Sequence, residues 1–202
     1  QVVNLADEIA YNAHDIDDGL RSGLLDAAQL EELAAYGRIR RQVLAEHPDL
    51  AARGRRLLFE VLRRMLSGQV HALVGHTAQV LHESAPADAD ALRRLPVLAA
   101  LPPAMRAEFD ELKRFLFRSL YRHPQVVQTT AAAREVVARL FDAYLAAPRE
   151  MPEDFAARPD RQRAVADYVS GMTDRFALRE YHRLTGHIPF PAALHPALWS
   201  PA

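Results

Sequence analysis

The chain has 202 residues, 50% of them hydrophobic, which fits one large domain or a domain with an appendage. Its formal net charge of −1 argues against a dedicated nucleic-acid-binding protein. The absence of cysteine excludes a disulfide framework and a thiolate metal site. Because no apolar run approaches the ~20 residues of a membrane span and no signal peptide precedes the first helix, we expect a cytoplasmic protein.

The composition favours helices throughout. Alanine, leucine and arginine dominate, glycine is scarce, and runs of β-branched residues are short. Such residues are good helix formers, so the sequence predicts an all-α protein.

The first predicted helix runs from Asn4 to Arg21. Asn4 is the predicted N-cap, and Asp7 and Glu8 follow in the first turns, where the helix dipole favours carboxylates. One face of this helix is apolar and consists of Leu5, Ile9, Ile16 and Leu20.

A second face of the same helix carries a row of polar residues. Asp7, Tyr11 and Asp15 recur at i, i+4 and i+8, so they lie one above the other. A helix that packs on a core does not require such a row. Solvated acids beside a half-buried tyrosine are the alternative interpretation.

Two further helices are predicted up to residue 83. The second spans Asp26 to Glu46 and ends at His47, because a residue that precedes proline is disfavoured in helical geometry. Asp49 is the predicted cap of the third helix, Leu50 to Glu83. Its predicted inner positions are Leu58, Val61, Leu62, Met65, Val70, Leu73 and Val80.

Three histidines on the third helix invite a metal-site interpretation, which their spacing opposes. His71 and His76 diverge by roughly 140° around the axis, and His71 and His82 lie roughly 16 Å apart along it. We therefore expect ordinary polar histidines.

Charge is distributed in blocks. Residues 1–32 carry eight Asp and Glu against one Arg, whereas residues 38–64 carry eight Arg against three acids. Solvated faces or ion pairs between helices explain such blocks. The alternative is an arginine-rich surface that binds phosphate, for which the planar guanidinium is suited, and which leaves a nucleic-acid contact open for residues 38–64.

Residues 84–103 form the clearest break in the helical pattern. They contain Pro86, Pro96, Pro102 and Pro103, and the sequence A-P-A-D-A-D predicts a mobile loop. We therefore expect a first domain over 1–83, a proline-rich linker over 84–103 and a second domain over 104–202.

The next helix is predicted from Pro103 to Tyr121, with proline in the favoured first turn. It carries Lys113, the one lysine among 25 basic residues, which indicates that a compact ammonium is required there. Lys113, Phe117 and Tyr121 recur at i, i+4 and i+8. A surface lysine and a core tyrosine are the alternative.

The C-terminal region is predicted to contain a helix from Pro124 to Ala146, a linker over 151–159 and a last long helix up to Leu184. Gly171 would lie in the middle of that last helix, where glycine commonly marks a close helix crossing. The tail, residues 186–202, is expected to be extended and packed against the domain or a neighbouring subunit.

Asp174 and Arg175 lie on the predicted last helix. They either support a functional site or stabilise the packing of helices against each other, and we favour the second, structural role.

The residues 5–20, L-A-D-E-I-A-Y-N-A-H-D-I-D-D-G-L, resemble the last metal-binding segment of the bacterial dNTP triphosphohydrolases, the dGTPase-like branch of the HD superfamily. The residues 112–124 (L-K-R-F-L-F-R-S-L-Y-R-H-P) and 167–177 (D-Y-V-S-G-M-T-D-R-F-A) also resemble segments of that family, in the same order. The resemblance extends from Val3 to about Leu184. It implies part of an HD-type helical bundle followed by the helical phosphohydrolase-associated domain.

The resemblance also implies roles for five residues. Asp7 would be a metal ligand, Tyr11 would lie against the deoxyribose, and Asp15 would hold its 3′-hydroxyl. Lys113 and Tyr121 would be directed toward the triphosphate.

His14-Asp15 spells the letters that name the superfamily, yet the metal-binding His-Asp pair of the family lies N-terminal to this segment. We expect His14 to be a neighbour of the site and not a ligand.

The reaction that the resemblance implies is hydrolysis of a dNTP to the deoxynucleoside and triphosphate, at a divalent ion held by two histidines and two aspartates. Oxygen and imidazole ligands suit Mn²⁺, Mg²⁺ or a similar ion. The chain begins with Gln1 and supplies Asp7 without the first histidine or the His-Asp pair. We therefore expect a C-terminal portion of a longer, homo-oligomeric protein that on its own retains no metal and is inactive. A helical oligomerisation or nucleotide-effector-binding module, with residues 38–64 as its working surface, is the alternative.

Overall fold

The computed structural model describes residues 1–189, and the regular structure of these residues is entirely helical, which confirms the all-α prediction. No helix within this range is long and apolar enough to cross a membrane. The ten α-helices of the described range are α1 (Val2–Arg21), α2 (Ala27–Glu31), α3 (Ala34–Glu46), α4 (Gly54–Ser84), α5 (Ala89–Arg94), α6 (Pro103–Leu116), α7 (Pro124–Ala146), α8 (Glu153–Ala156), α9 (Arg161–Ser170) and α10 (Asp174–Thr185).

The chain divides into two compact units, residues 1–123 and residues 124–202. In the first unit α1 contacts α4 and α6, and α3 contacts α4. Its main core comprises Ile16, Leu25, Leu30, Leu33, Tyr36, Val43, Leu57, Val61, Leu62, Met65, Leu112, Phe115 and Leu116. A smaller cluster of Ile9, Leu73, Leu101 and Phe109 lies beside it.

The second unit is built on α7, which contacts α9 and α10. Its core comprises Val136, Leu140, Tyr144, Met151, Val165, Leu178 and Tyr181. The hydroxyl of the fully buried Tyr144 donates a hydrogen bond of 2.5 Å to Glu180, so the polar atom of this core residue is satisfied.

The predicted helix boundaries are correct at several prolines and wrong at other positions. The first helix begins at Val2 with Gln1 as its N-cap residue, so Asn4 lies within the helix and is not the cap. The second predicted helix is divided, because the buried Leu33 has extended backbone (ψ 133°) between α2 and α3. A capping box of Asp26 and Gln29 at the start of α2 stabilises the separate short helix.

The long third helix was predicted correctly as one element but not at its start. A 3₁₀ turn, Pro48–Ala52, contains Asp49, so that residue does not cap α4, which begins at Gly54. Among the predicted inner positions Val70 is 40% exposed, whereas Gln69 is buried. The predicted loop that follows contains α5, whose first turn is capped by the Asp88 carboxylate.

The predicted last helix is two helices. Gly171 ends α9, and the Thr173 hydroxyl accepts a hydrogen bond from the Phe176 amide to start α10. The glycine is therefore a helix terminus and not a crossing point. Of the predicted tail, residues 190–202 lie outside the described residues.

The expected division of the chain at residues 84–103 stays a prediction. In the structure α6 belongs to the first unit, whose last residue is His123.

Candidate functional site

A cavity of about 240 Å³ has α1 on one side, and the C-terminal part of α6 and the turn after α6 on the other. It brings together four of the predicted site residues, Tyr11, Asp15, Lys113 and Tyr121. Glu8, Asn12, Leu116 and Phe117 complete its lining. Of the two rows predicted from helical spacing, Tyr11 and Asp15 on α1 and Lys113, Phe117 and Tyr121 on α6 and the turn after it line this cavity, and Asp7 does not.

The packing of α1 and α6 fixes which side chains reach the cavity. The buried positions of α1 are Ile9, Asn12, Ile16 and Gly19, which recur every three or four residues. Tyr11 and Asp15 flank that buried stripe, and Tyr11 is 59% exposed. On α6 the buried positions are Phe109, Leu112, Phe115 and Leu116. The cavity thus lies at the edge of the interface between two amphipathic helices.

The position of Tyr121 depends on an irregular turn. Residues Phe117–Tyr121 form a π-helical turn, in which the Arg122 amide donates to the Phe117 carbonyl at 3.0 Å. A π turn displaces the following side chains around the axis, and such turns are frequent at functional sites. The regular helical spacing assumed from the sequence therefore does not hold at this turn, although Lys113, Phe117 and Tyr121 all line the cavity.

The Tyr121 hydroxyl donates a hydrogen bond to the Asp15 carboxylate. Burial, and then the hydrogen bond to Asp15, raise the pKa of Tyr121 to about 12. The phenol therefore stays protonated at neutral pH and acts as a donor that orients the carboxylate.

Lys113 and Glu8 form the second polar pair of the cavity. The Lys113 ammonium lies 3.1 Å from the Glu8 carboxylate and 5.9 Å from the centre of the Phe109 ring. Both side chains of the pair are partly exposed, so solvent weakens their attraction and an anion can compete for the ammonium.

Asn12 is the buried polar residue of the cavity wall. It is 7% exposed, and its Nδ2 atom has no hydrogen-bond partner within residues 1–189. Sequence reasoning missed Asn12, and it named Glu8 and Phe117 only by their helix positions, without assigning them to the site. The available signal was an asparagine in an otherwise apolar stripe between Ile9 and Ile16.

Asp7 does not line this cavity. It is exposed on α1, and no group of three or more His, Cys, Asp or Glu side chains that could hold a metal ion occurs among residues 1–189. The described residues therefore do not form a complete divalent-metal site, although Asp7 can offer one carboxylate to such a site. The predicted ligand role of Asp7 stays a prediction.

The remaining predicted residues are not part of the lining of this cavity. His14 is exposed on α1. Asp174 and Arg175 are exposed in the first turn of α10, in the second unit, where the Asp174 carboxylate is favourably placed toward the helix dipole. A role for Asp174 and Arg175 in a site stays a prediction.

The arginine-rich segment is largely engaged in ion pairs. Arg38 contacts Glu108 at 2.6 Å and Arg64 contacts Glu46 at 2.7 Å, and both pairs join different elements. Ion pairs between helices thus account for much of the charge block at residues 38–64.

Residues 99–183 match the family described as phosphohydrolase-associated domain. The chain is similar to proteins named deoxyguanosinetriphosphate triphosphohydrolase-like protein. It is 46% identical to that of Bordetella pertussis over 91% of this chain and 48% of the relative. It is 43% identical to the protein of Ralstonia nicotianae, over 91% of this chain and 48% of that relative. It is 41% identical to the protein of Nitrosomonas europaea, over 91% of this chain and 49% of that relative. The chain spans about half the length of the curated relatives it matches.

Proposed function

Because the chain is related to the deoxyguanosinetriphosphate triphosphohydrolase-like proteins and contains a phosphohydrolase-associated domain, we propose that it is part of a metal-dependent dNTP triphosphohydrolase. The reaction is dNTP plus water to deoxynucleoside plus triphosphate. The observation that carries the proposal is the shared cavity of Tyr11, Asp15, Lys113 and Tyr121.

The cavity takes the sugar end of the nucleotide. Its volume of about 240 Å³ is below the ~300 Å³ at which pockets for drug-sized ligands begin, so it accommodates a deoxyribose and not a complete dNTP. The ring of Tyr11, which is 59% exposed, offers an apolar surface to the sugar.

Asp15 and Tyr121 act together on the sugar hydroxyl. Tyr121 donates to the Oδ2 atom of Asp15, which leaves Oδ1 as an acceptor for the 3′-hydroxyl. Because Tyr121 fixes the carboxylate before substrate binds, the acceptor is already oriented when the sugar arrives.

Lys113 provides positive charge for the triphosphate. Its ammonium is held by Glu8 in the structure, and a triphosphate oxygen replaces or shares that contact. Such a cation stabilises negative charge that develops on the leaving group. A divalent ion, when bound, would polarise the phosphate or activate water, and Asp7 is the residue of this chain proposed to contribute to it.

The 202 residues alone are proposed to bind metal weakly and to hydrolyse nothing, because Asp7 is one carboxylate where the resemblance implies four ligands. Assay of the isolated chain with Mn²⁺ and dGTP tests this part. Release of triphosphate at the rate of the full-length gene product would contradict it. Oligomer formation and the choice of Mn²⁺ or Mg²⁺ stay predictions.

The role of Asp15 is tested in the full-length gene product with dGTP and its 2′,3′-dideoxy analogue. The wild-type protein should prefer dGTP by about 10- to 100-fold in kcat/KM, which corresponds to one hydrogen bond to a charged group. Asp15→Asn should lose most of this preference, whereas Asp18→Asn, an exposed position on the same helix, should keep it. Equal preference in all three proteins would refute the assignment of the sugar to this cavity.

The alternative function, a helical oligomerisation or effector-binding module without catalysis, is supported by Arg55, an exposed arginine of residues 38–64 that makes no ion pair within the described part of the chain. Asp7→Ala in the full-length protein distinguishes the two functions. Catalysis predicts loss of turnover, whereas a regulatory module predicts little change. The double variant Arg55→Ala, Arg56→Ala should show the opposite pattern.

A further inference from the structure

A second cavity, of about 370 Å³, lies in the first unit among α1, α2, α3 and the start of α4. It shares no residue with the cavity of Asp15 and Tyr121. Its volume is within the usual range for small-molecule sites.

Tyr36 is a core residue whose hydroxyl group has no hydrogen-bond partner among the described residues. It is 4% exposed and lines this cavity, and its hydroxyl makes no hydrogen bond within residues 1–189. The hydroxyl oxygen is not completely sealed from solvent, and Tyr36 lines this cavity. Burial raises the pKa of Tyr36, which keeps the phenol neutral and able to donate. A buried donor without a partner is costly unless a ligand or water satisfies it.

The cavity also carries an unbalanced positive charge. Arg21 pairs with Asp17 at 2.8 Å, and Arg40 pairs with Glu31 at 3.1 Å. Arg55 makes no ion pair with a carboxylate in the described part of the chain and lies 5.3 Å from the centre of the Phe59 ring.

The N-terminus of α4 faces the same space. Gly54 and Arg55, its first two residues, line the cavity. The N-cap residue Arg53 makes no side-chain cap, so the first amides of this 31-residue helix are not capped by a side chain. Free amides and the helix dipole both favour an anion at such a position.

The rest of the lining is mainly apolar. It includes Leu20, Leu57 and Leu58 together with Ala27 and Ala51. A bare inorganic ion would leave these side chains in contact with water, whereas an organic group would cover them.

We propose that this cavity binds a small organic phosphate. Its phosphate contacts Arg55 and the first amides of α4, its apolar group covers Leu20 and Leu58, and an oxygen acceptor meets the Tyr36 hydroxyl. The inference uses none of the residues assigned to catalysis, so it does not rest on the triphosphohydrolase proposal, although Arg55 also belongs to residues 38–64, the surface named for the alternative function.

The test uses the 202-residue chain and phenyl phosphate as probe, with inorganic phosphate and phenol as comparison ligands. Isothermal titration should give saturable binding of phenyl phosphate that is at least about tenfold tighter than that of either comparison ligand, since each lacks one half of the recognition. Equal affinity for inorganic phosphate, or no saturation, would overturn the proposal.

Two variants locate the binding. Arg55→Gln and Tyr36→Phe should each weaken phenyl phosphate binding by about fivefold or more. Arg56→Gln, an adjacent exposed arginine outside the cavity, should leave it unchanged. Arg55 is on the surface, so its replacement keeps the test valid even if Tyr36→Phe alters the fold. If Arg56→Gln weakens binding as much as Arg55→Gln, the attraction is a general effect of charge and the site is refuted.

Discussion

Tyr121 donates a hydrogen bond to Asp15, a residue 106 positions earlier in the chain. The bond links the π turn after α6 to the middle of α1. It therefore makes the geometry of the candidate sugar site depend on the packing of these two elements.

Replacement of Asp15 should change the titration of Tyr121. The pKa of Tyr121 is raised from 10.0 to about 12, and burial is the larger cause with the Asp15 bond second. Asp15→Asn should therefore lower the pKa of Tyr121, but not fully to 10.0. Absorbance at the phenolate band during an alkaline titration measures this change, and Tyr121→Phe identifies the transition.

The same pKa predicts a dependence of stability on alkaline pH. A raised pKa means that the folded state favours the neutral phenol, so its contribution is complete below pH 10.0 and is lost as pH rises through about 12. Chemical denaturation at pH 9, 10.5 and 11.5 should show a smaller loss for Tyr121→Phe than for the wild type. An identical loss in both proteins would contradict this prediction.

Glu8→Gln should make Lys113 more available to anions. The pair is partly exposed, so its removal should lower the free energy of unfolding by less than about 1 kcal/mol. Inorganic triphosphate should bind a few-fold more tightly to Glu8→Gln than to the wild type, because the carboxylate no longer competes for the ammonium. Asp18→Asn removes an equal charge from α1 outside the cavity, and similar tightening there would show a general charge effect instead.

Glu60 should determine part of the resistance to acid. The Glu60 carboxylate accepts hydrogen bonds from Arg63 and Arg64. These bonds are the main reason that the pKa of Glu60 is lowered from 4.5 to about 2. A lowered pKa contributes stability that is complete above pH 4.5 and is lost as pH falls through about 2. Urea denaturation at pH 7, 4 and 3 should therefore show a smaller acid-dependent loss for Glu60→Gln than for Glu32→Gln, an exposed control on the same unit.

Two glycine-to-alanine substitutions should have opposite signs. A Cβ atom at Gly37 would lie 2.4 Å from the Glu31 carbonyl oxygen, which belongs to the backbone and cannot move freely. Gly37→Ala should therefore destabilise the protein by about 1–3 kcal/mol. At Gly68, inside α4, a Cβ atom meets nothing within 4 Å, so Gly68→Ala should stabilise by up to about 1 kcal/mol. Thermal denaturation of both variants measures the difference, and a stabilised Gly37→Ala would contradict the close approach.

The sequence alone determined the helical class and most of the long helices, because apolar periodicity and proline breaks act within a few residues of the chain. The i, i+4 spacing put Tyr11 and Asp15 on one face of the first helix and Lys113 and Tyr121 on one face of a later helix, whereas their roles came from the family resemblance. These local rules did not detect the break at Leu33, a buried residue with extended backbone and no side-chain cap, or the break after Gly171, where Thr173 caps the next helix.

Only the tertiary structure decided which of these side chains meet. The contact of Tyr121 with Asp15 and that of Lys113 with Glu8 join residues more than 100 positions apart. The tertiary structure also leaves Asp7 exposed outside the cavity, although Asp7 shares a helix face with Tyr11 and Asp15. The physical reason is that periodicity fixes the direction of a side chain around its own helix, whereas the neighbour it meets depends on how the apolar faces of separate helices are buried against each other.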